Sequence, residues 1–485
     1  MSVSTAPSTA QTLGTTQTLG FSTLEREVVL DELPVRGELP RWLKGSLLRT
    51  GPAKFEVGEQ RMKHWFDGLA MMHRFTIADG RVSYGSRFLE SRSYRAAREQ
   101  GRMVYGEFAT DPCRSLFKRV QTLFAKNALP DNANINVTKL GDRFIAMTET
   151  PLPVEFDPHT LRAADVRPYK VPGQLSTAHP HADRASGSML NYAAKLGPRS
   201  SYRFFEVPPS RGGGRPTKPR VIGSLPVSEP AYMHSFGLTD RYVILFEQPL
   251  VVDPMRLALN NKPLIENYQW KPERGTRFLV IDREDGSLRE AVEAEAFFTF
   301  HHVNAFEDGR ELVVDLVGAD DPAVIDGLYL DQLRGDGRPA SPSTLRRYRL
   351  PLDGGSARRE DICPLPMELP RIAYRTRNGR PYRWMYAVGA RGPGVFDSVL
   401  KVDVEDGSAV RWQEDGCYPG EPVFVPRPGA DGEDEGVVLS VVLDSKAGRS
   451  FLLVLDAAGF EELGRAEAPH HIPFGFHGQF ARQEA

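Results

Sequence analysis

Short apolar runs separated by turn signals recur along the whole chain. Each run spans about 6–10 residues and is rich in β-branched and aromatic side chains, which favours strands over helices. The clearest are RFIAMTET, YVILFEQPLVV, TRFLVID, ELVVDLVG, SVLKVDV, GVVLSVVLD and SFLLVLD. Turn sequences such as DGR, EDGS and DGG punctuate the chain, which contains 44 glycines and 38 prolines. Successive strands with short connections predict an all-β fold, either a sandwich array or a β-propeller.

Helical periodicity is limited to three segments, at about 93–100, 112–126 and 321–334. The second segment has an apolar face with basic residues on or beside the opposite face. That face consists of Leu116, Phe117, Val120, Leu123 and Phe124. Another apolar stretch, PLVVDPMRLALNNKPLIENY, includes Leu257 and Leu259. Two interpretations stay open: both stretches pack on the core, or they form an interfacial patch around the mouth of a tunnel for a lipid-soluble substrate.

Composition limits the classes of function. The 485-residue chain has a net charge of −2, so it lacks the basic footprint of a nucleic-acid-binding protein. Its three cysteines, without CxxC spacing, argue against a disulfide framework or a thiolate zinc site. We therefore expect a reducing, cytoplasmic setting. The oligomeric state is left open by the sequence.

The N-terminus differs in composition from the rest of the chain. Residues 1–22 are rich in Ser, Thr, Ala and Gln and lack the basic and apolar regions of a signal peptide. We expect a disordered tail here, followed by a single β domain over residues 23–485. No window contains the roughly 18 uncharged apolar residues that a membrane-spanning helix needs. Peripheral attachment to a membrane surface remains open.

Four histidines lie in four separate, locally apolar motifs. The motifs are TAHPHAD, AYMHSFG, FHHVNAF and FGFHGQF, which contain His179, His234, His301 and His477. Neutral imidazole is the commonest protein ligand of functional transition metals. A buried ring without a partner costs about 1–3 kcal/mol. Four rings in similar settings therefore indicate one shared partner, a metal ion.

The positions of these histidines also favour one architecture and one group of metals. They are too far apart in sequence to share a helix, but the inner strands of a propeller would bring them to one axis. Four neutral nitrogens without a carboxylate or thiolate suit a divalent first-row metal. A four-histidine zinc site would be closed. Iron would keep positions open for O₂ and substrate.

Three glutamates lie in apolar strand contexts where a charge needs a reason. They are Glu149 in AMTETPLP, Glu368 in PMELPRI and Glu421 in YPGEPVF. A metal-bound imidazole normally donates its second N–H to a carboxylate or a carbonyl. Each glutamate alone is equally compatible with a structural role or with an arginine partner. As a set, they are expected to hold three of the imidazoles and to offset the charge of the cation.

Motifs along the chain resemble those of a known family. Besides the four histidine motifs, they are GSLLRTGPAKFEVG (45–58), HWFDGLAMMHRF (64–75), YPGEPVFVPRP and GVVLSVVLD. From about residue 25 to the C-terminus the chain is similar to the carotenoid cleavage oxygenases. That family includes β-carotene oxygenases, apocarotenoid oxygenases, stilbene-cleaving dioxygenases and the vertebrate retinoid isomerohydrolase.

The resemblance implies a seven-bladed β-propeller capped by helices and loops, with one Fe(II) on its axis. It assigns the iron ligands to His179, His234, His301 and His477, and their carboxylate partners to Glu149, Glu368 and Glu421. In the doublets, it favours the first histidine over His181 and His302. The implied reaction inserts O₂ across a conjugated C=C bond of an apolar polyene and gives aldehyde or ketone products, such as retinal-type compounds.

Two other functions remain as alternatives. The first is cleavage of a stilbene or phenylpropanoid. Family members acting on hydroxystilbenes carry a lysine just after the strand with the TET segment, whereas this chain reads IAMTETP, with Met147 and no lysine. The second is a carotenoid-binding propeller without turnover, which would not need the complete set of histidines and glutamates. Oxidative cleavage of a carotenoid or apocarotenoid is the favoured prediction.

Overall fold

A computed structural model describes residues 17–111, 129–164, 167–209, 217–259, 262–335, 341–391 and 396–482. Within these ranges the chain is built almost entirely of strands. In chain order they are β1 Val28–Leu30, β2 Val35–Gly37, β3 Gly45–Lys54, β4 Glu56–Val57, β5 Gln60–Arg61, β6 Leu69–Ala78, β7 Arg81–Phe88, β8 Asn136–Leu140, β9 Arg143–Met147, β10 Val154–Phe156, β11 Leu175–Ser176, β12 His181–Ala182, β13 Met189–Lys195, β14 Ser201–Val207, β15 Arg220–Pro226, β16 Gly237–Leu238, β17 Tyr242–Glu247, β18 Leu250–Val252, β19 Tyr268–Trp270, β20 Thr276–Asp282, β21 Leu288–Ala294, β22 Phe298–Asp308, β23 Glu311–Ala319, β24 Thr344–Pro351, β25 Arg358–Cys363, β26 Met367–Ile372, β27 Trp384–Gly389, β28 Ser398–Asp403, β29 Ala409–Trp412, β30 Cys417–Pro419, β31 Val423–Pro426, β32 Gly436–Asp444, β33 Arg449–Asp456, β34 Glu462–Glu467 and β35 Gly478–Arg482.

The strands form seven antiparallel sheets of three or more strands, which are the blades of a seven-bladed β-propeller. In chain order, blade I contains β1, β7, β6, β3 and β35, blade II contains β8–β10, and blade III contains β11–β15. Blade IV is β16-β17-β20-β21, blade V is β22–β25, blade VI is β26–β29, and blade VII contains β30–β34 with β2. Both the predicted all-β class and the propeller expected from the resemblance are confirmed.

The first and last blades are closed by strands from opposite ends of the chain. Near the N-terminus, β2 pairs with β34 of blade VII, placing Val35 opposite Ala466. At the other end, β35 pairs with β3 of blade I, placing Gly478 opposite Arg49. Because each junction joins residues more than 400 positions apart, closure ties the whole ring together.

Adjacent blades pack through their apolar faces. In β32 and β33, residues on both faces of the sheet are buried, which explains why GVVLSVVLD and SFLLVLD read as continuous apolar runs. Between blades VII and I, the core is formed by buried aliphatic and aromatic side chains of both sheets, including Leu439, Leu452, Leu47, Phe75 and Tyr84. Similar clusters fill the other junctions. Five of the seven predicted strand segments are single strands in the structure. RFIAMTET is a strand only as far as Met147, and YVILFEQPLVV is divided into β17 and β18, which belong to different sheets.

Helices are short and lie in the connections. They are α1 Arg92–Gln100, α2 Pro254–Leu259, α3 Ala323–Gly327, α4 Leu330–Arg334 and α5 Tyr374–Arg377, together with 3₁₀ turns at Gln17–Phe21, Trp65–Asp67, Ile265–Asn267 and Pro272–Arg274. The first predicted helix is confirmed as α1, where Ser91 Oγ accepts the Tyr94 N–H at 3.1 Å and Gly101 ends the helix at φ +61°. The third, predicted over 321–334, is divided into α3 and α4. The second, with Leu116, Phe117, Val120, Leu123 and Phe124, lies outside the described residues.

The last residues of the predicted N-terminal tail, which was expected to end at residue 22, have a defined conformation. Residues Gln17–Phe21 form a 3₁₀ turn, and Phe21 is buried against Trp65 and Phe474 at ring-centroid distances of 5.6 and 5.1 Å. Burial of this aromatic ring anchors the turn to the blades. Residues 1–16 lie outside the described part of the chain. In the part that is described, no helix has the length and apolar character required to cross a bilayer.

Candidate metal centre

The four predicted histidines come from the innermost strands of four blades or from the loops that lead into them. His301 lies within β22, the first strand of blade V. His179, His234 and His477 lie one to three residues before β12, β16 and β35, respectively. Inner strands of neighbouring blades contact one another, as β16 does β22 and β22 does β26. The propeller therefore directs these residues toward one axis.

Backbone irregularity in β22 separates the two histidines of its doublet. The register of β22 with β23 shifts between Thr299 and His301 and again between His302 and Asn304. Such bulges redirect side chains relative to a regular strand. His301 joins the other three histidines, whereas the buried Nε2 atom of half-buried His302 has no hydrogen-bond partner and lies outside the group.

The two histidines of the doublet in blade III also point to different places. His181 points away from the group, with its Nδ1 2.8 Å from Tyr374 Oη and its Nε2 2.9 Å from the Phe236 carbonyl oxygen. Only His179 of this doublet joins the four-histidine group. In both doublets, then, it is the first histidine that lies in the group.

One ligand-capable nitrogen from each of the four histidines lies within 4.8 Å of every other. The Nε2 atoms of His179 and His234 are 3.0 Å apart, and those of His301 and His477 are 3.1 Å apart. His234, His301 and His477 are buried, and His179 is half-buried. Among the described residues, no other group of His, Cys, Asp or Glu converges in this way.

Each of the three predicted glutamates contacts a different histidine. Glu149 Oε1 lies 2.6 Å from His234 Nδ1, and Glu368 Oε2 lies 2.5 Å from His301 Nδ1. Glu421 Oε1 lies 2.7 Å from His477 Nδ1. Because an ionised carboxylate only accepts hydrogen bonds, each of these Nδ1 atoms carries the proton. The corresponding Nε2 atoms therefore have free lone pairs.

This assignment of protons provides a test of whether a cation fits. At His301 and His477, two unprotonated Nε2 atoms face each other at 3.1 Å, which is no hydrogen bond and places two lone pairs in contact. A cation between them converts this repulsion into ligation. The nitrogen donors and the absence of carboxylates from the converging group match the ligand preference of a divalent first-row metal. The residues present thus fit a metal site.

The surroundings of His179, His234 and His477 favour the neutral form of these three rings. Burial lowers the pKa of His477 to about 4 despite the nearby Glu421 carboxylate. Burial also lowers the pKa of His234, and it lowers that of His179 well below its ordinary value, with the neighbouring histidines adding to the effect. Neutral rings are the form in which imidazole binds a metal.

Sequence reasoning missed several groups that surround the glutamates. Tyr232 donates its hydroxyl hydrogen to Glu149 Oε1 at 2.9 Å, and Arg371 lies with its Nη1 3.7 Å from Glu421 Oε1. The Leu369 N–H donates to Glu368 Oε2 at 2.9 Å. A signal for Tyr232 was present, because residues two apart in an extended segment face the same side and Tyr232 precedes His234 by two.

Aromatic side chains cover one side of the four-histidine group. The rings of Phe300 and His234 are 5.3 Å apart, and Phe66 lies 5.9 Å from Phe300 and 5.0 Å from Phe476. Phe66 belongs to the WFDG segment, whose Trp65 donates its indole N–H to the Phe474 carbonyl at 2.8 Å. These rings make one approach to the site apolar.

The remaining predicted residues lie in or near α2. Leu257 is half-buried in α2, and Leu259 is the last residue of that helix. Neighbouring Met255 is 55% exposed, so part of this segment faces outward.

Known sequences match most of this chain. The sequence model of the family described as "Retinal pigment epithelial membrane protein" matches residues 21–482. A carotenoid-cleaving dioxygenase, mitochondrial, of Macaca fascicularis is 37% identical, over 92% of this chain and 91% of that protein. Human beta,beta-carotene 15,15'-dioxygenase is 34% identical over the same shares of the two chains.

Solved structures are similar over nearly the whole chain. The cobalt-substituted apocarotenoid oxygenase of Synechocystis superposes with a TM-score of 0.83 at 27% identity, over 96% of this chain and 98% of that one. A chimera of the same oxygenase superposes with a TM-score of 0.84 at 26% identity, with the same coverage. The chain therefore belongs to the retinal pigment epithelial membrane protein family, the family of the carotenoid-cleaving dioxygenases.

Proposed function

We propose that this protein is a non-haem iron(II) dioxygenase that cleaves a conjugated C=C bond of a carotenoid or apocarotenoid with O₂. One C=C bond and one O₂ molecule give two C=O groups, so atoms and electrons balance without a further reductant. The products are aldehydes or ketones, retinal-type where the cleaved bond is central. Support comes from the relatives, which are named for carotenoid cleavage, and from the four-histidine group.

One observation carries the proposal: three carboxylates fix three of the four converging imidazoles with their Nε2 lone pairs toward a common point. In this arrangement, His179, His234, His301 and His477 are the metal ligands. Glu149, Glu368 and Glu421 hold the protons on Nδ1 and offset the charge of the cation. A carotenoid carrier has no use for such an array.

Iron is the proposed metal, with one ion per chain. Four nitrogen ligands complete the tetrahedral coordination of zinc and leave no open position. Iron accepts more ligands, and when bound it supplies the activation of O₂. A cobalt-substituted relative with this fold supports a divalent first-row metal at the site. The chain itself positions the polyene and excludes water, chiefly through aromatic residues such as Phe66 and Phe300.

The experiment that tests the proposal offers candidate substrates to the metal-loaded protein under O₂. β-Carotene, apo-carotenals and resveratrol are incubated separately, and the products are identified by mass. We expect carbonyl products from a carotenoid or an apocarotenal and none from His301→Ala, which removes a proposed ligand. The matched control His159→Ala changes an exposed histidine and is expected to retain activity.

Each other outcome points to a different function. Cleavage of resveratrol alone identifies a stilbene dioxygenase and contradicts the proposed substrate class. Binding of a carotenoid without any product identifies a carrier. A wild-type protein that takes up zinc and no iron contradicts the proposed cofactor.

We also propose that the protein is cytoplasmic and attaches reversibly to membrane surfaces, from which an apolar polyene would enter. Support comes from exposed Met255 beside Leu257 in α2 and from the apolar pattern of the predicted segment 112–126. Flotation with phospholipid vesicles measures the association. Recovery of all the protein in the unbound fraction would contradict it.

A further inference from the structure

Strand β26 contains an irregularity next to one of the three glutamates. Its register with β27 shifts between Glu368 and Arg371. The residue after Glu368, Leu369, has a φ of +53°, in the left-handed region that non-glycine residues rarely adopt. Strain of this kind persists only where the surroundings impose it, and it is concentrated at functional sites.

The irregularity changes which side chains of β26 face the axis. In a regular strand, residues three apart point to opposite faces of the sheet. Here Glu368 reaches His301 at 2.5 Å, and Arg371 reaches the groups around His477. A single inner strand thereby contributes to two different histidines of the group.

Arg371 contacts both groups that hold His477. Its Nη2 atom donates to the Gly478 carbonyl oxygen at 2.9 Å. Its Nη1 atom lies 3.7 Å from Glu421 Oε1, the oxygen that accepts the hydrogen bond from His477 Nδ1. The Gly478 N–H in turn donates to Glu421 Oε2 at 2.9 Å. His477 is thus held at two points: Glu421 binds its ring, and Gly478, the next residue of the backbone, is bound by both Glu421 and Arg371.

The other two glutamates are held differently. Glu149 accepts a hydrogen bond from the Tyr232 hydroxyl, and Glu368 accepts one from the Leu369 N–H. Across the described residues, Arg371 is the only arginine or lysine with a nitrogen within 4.0 Å of an oxygen of Glu149, Glu368 or Glu421. Glu421 is also the least exposed of these three side chains, at 1%. An anion buried so completely needs a charge nearby. Buried Arg49 also interacts electrostatically with Glu421, and Arg371 is the arginine in direct contact with it.

We propose that Arg371 is the positioning residue for His477. It fixes the Glu421 carboxylate and the Gly478 carbonyl together, so that the His477 ring presents Nε2 to the other three histidines. The left-handed conformation of Leu369 is what brings Arg371 to this position from the strand that also carries Glu368. This inference rests on the proposed metal site.

Cobalt(II) is the probe for the experiment, because its visible absorption reports the arrangement of its ligands. The full-length metal-depleted protein is titrated with Co²⁺, and its unfolding temperature is measured without metal. For Arg371→Gln we expect Co²⁺ affinity about 10–100-fold below that of wild type and a shifted absorption band, since groups that orient metal ligands have effects of this size. Arg371→Lys is expected to recover affinity in part, because a single ammonium retains the charge but not both contacts.

Arg375→Gln is the matched control. Arg375 lies four residues further along, is exposed, and loses the same charge on substitution. We expect wild-type affinity and absorption from this variant. If Arg371 positions His477, the metal-free wild type and both variants should unfold within a few degrees of one another. A purely structural role of Arg371 would instead lower the unfolding temperature of Arg371→Gln and leave its cobalt spectrum unchanged.

The possible results are distinguishable. A folded Arg371→Gln variant with wild-type Co²⁺ affinity and absorption overturns the assignment of Arg371 and leaves the metal site intact. If that variant does not fold, Arg371→Lys decides, and wild-type values from it overturn the assignment equally. A wild-type chain that binds no Co²⁺ contradicts the proposed metal function, and the role of Arg371 fails with it.

Discussion

At the scale of single residues, His64 shows how a buried ring sets a pH limit on stability. His64 Nδ1 accepts the Phe66 N–H at 3.1 Å, and Nε2 donates to the Ile325 carbonyl at 3.1 Å. The first bond requires the neutral ring, because a protonated Nδ1 has no lone pair to accept with. Burial lowers the pKa of His64 from 6.5 to about 3. The folded protein therefore excludes a proton that the unfolded chain accepts.

The sign of the resulting pH dependence follows from this difference. Between about pH 6.5 and pH 3, the unfolded state binds more protons at His64 than the folded state, so stability falls as the pH falls. From pH 7 to pH 5.5 the loss from this residue is about 1 kcal/mol. We expect His64→Gln to be less stable at pH 7 but to lose about 1 kcal/mol less over this interval, as measured by denaturant unfolding. An equal loss of stability in both proteins would show that His64 takes up its proton over the same pH range in the folded and unfolded states.

Neighbouring Asp67 has the opposite dependence. Burial raises its pKa to about 6, although the Thr110 hydroxyl and the Ala109 and His64 N–H groups all donate to it. Its contribution to stability is present below about pH 4 and is lost as the pH rises through about 6. Asp67 is present in both wild type and His64→Gln, so its contribution cancels when the stabilities of the two proteins are subtracted. Exposed His159→Gln is the control for titration of an unburied ring.

Residues of the site differ in how readily a sequence reveals them. The histidines and glutamates stand out because each places a polar group in an apolar motif, and each chemical type has a known use in metal ligation. Arg371 offered a weaker signal of the same kind, a charge within MELPRIAY. Its hydrogen bond to the Gly478 carbonyl depends on a strand irregularity and joins residues 107 positions apart in the sequence. No local sequence pattern encodes either feature.

At the scale of elements, the irregularity in β26 has a free-energy cost that substitutions of Leu369 can measure. Leu369→Ala and Leu369→Gly both remove a buried side chain, but only glycine adopts a φ of +53° without strain. We expect the glycine variant to be more stable than the alanine variant by about 1 kcal/mol, as left-handed backbone costs L-residues about that much. Denaturant unfolding of both variants measures the difference. A less stable glycine variant would mean that the left-handed conformation is not retained.

Strands and helices of this fold were predictable to different extents. Runs such as GVVLSVVLD are long, apolar and bounded by turns, so their conformation follows from local pattern. The segment 321–334 has helical spacing, yet Tyr329 is extended and bridges to His64, which separates α3 from α4. A tertiary pairing has overridden local propensity there. Blade number depends on which strands pair, and this information is not local either.

At the scale of the whole molecule, the four-histidine group and the ring closure depend on the same strand. β35 pairs with β3 to close blade I, and His477 immediately precedes it. The four histidines come from blades I, III, IV and V, so their convergence exists only in the closed ring. An unfolded chain has no equivalent site, and binding of a metal therefore stabilises the fold.

This linkage predicts a metal-dependent unfolding temperature. A ligand at 100 times its dissociation constant stabilises the folded state by about 2.7 kcal/mol. Unfolding entropy of about 2.1 cal/mol/K per residue amounts to about 1 kcal/mol/K for a chain of 485 residues, so the expected rise is about 3 °C. Calorimetry with and without Fe²⁺ under anaerobic conditions measures this rise. His301→Ala should show no rise, and exposed His159→Ala should show the full rise; an equal rise in His301→Ala would place the metal outside the four-histidine group.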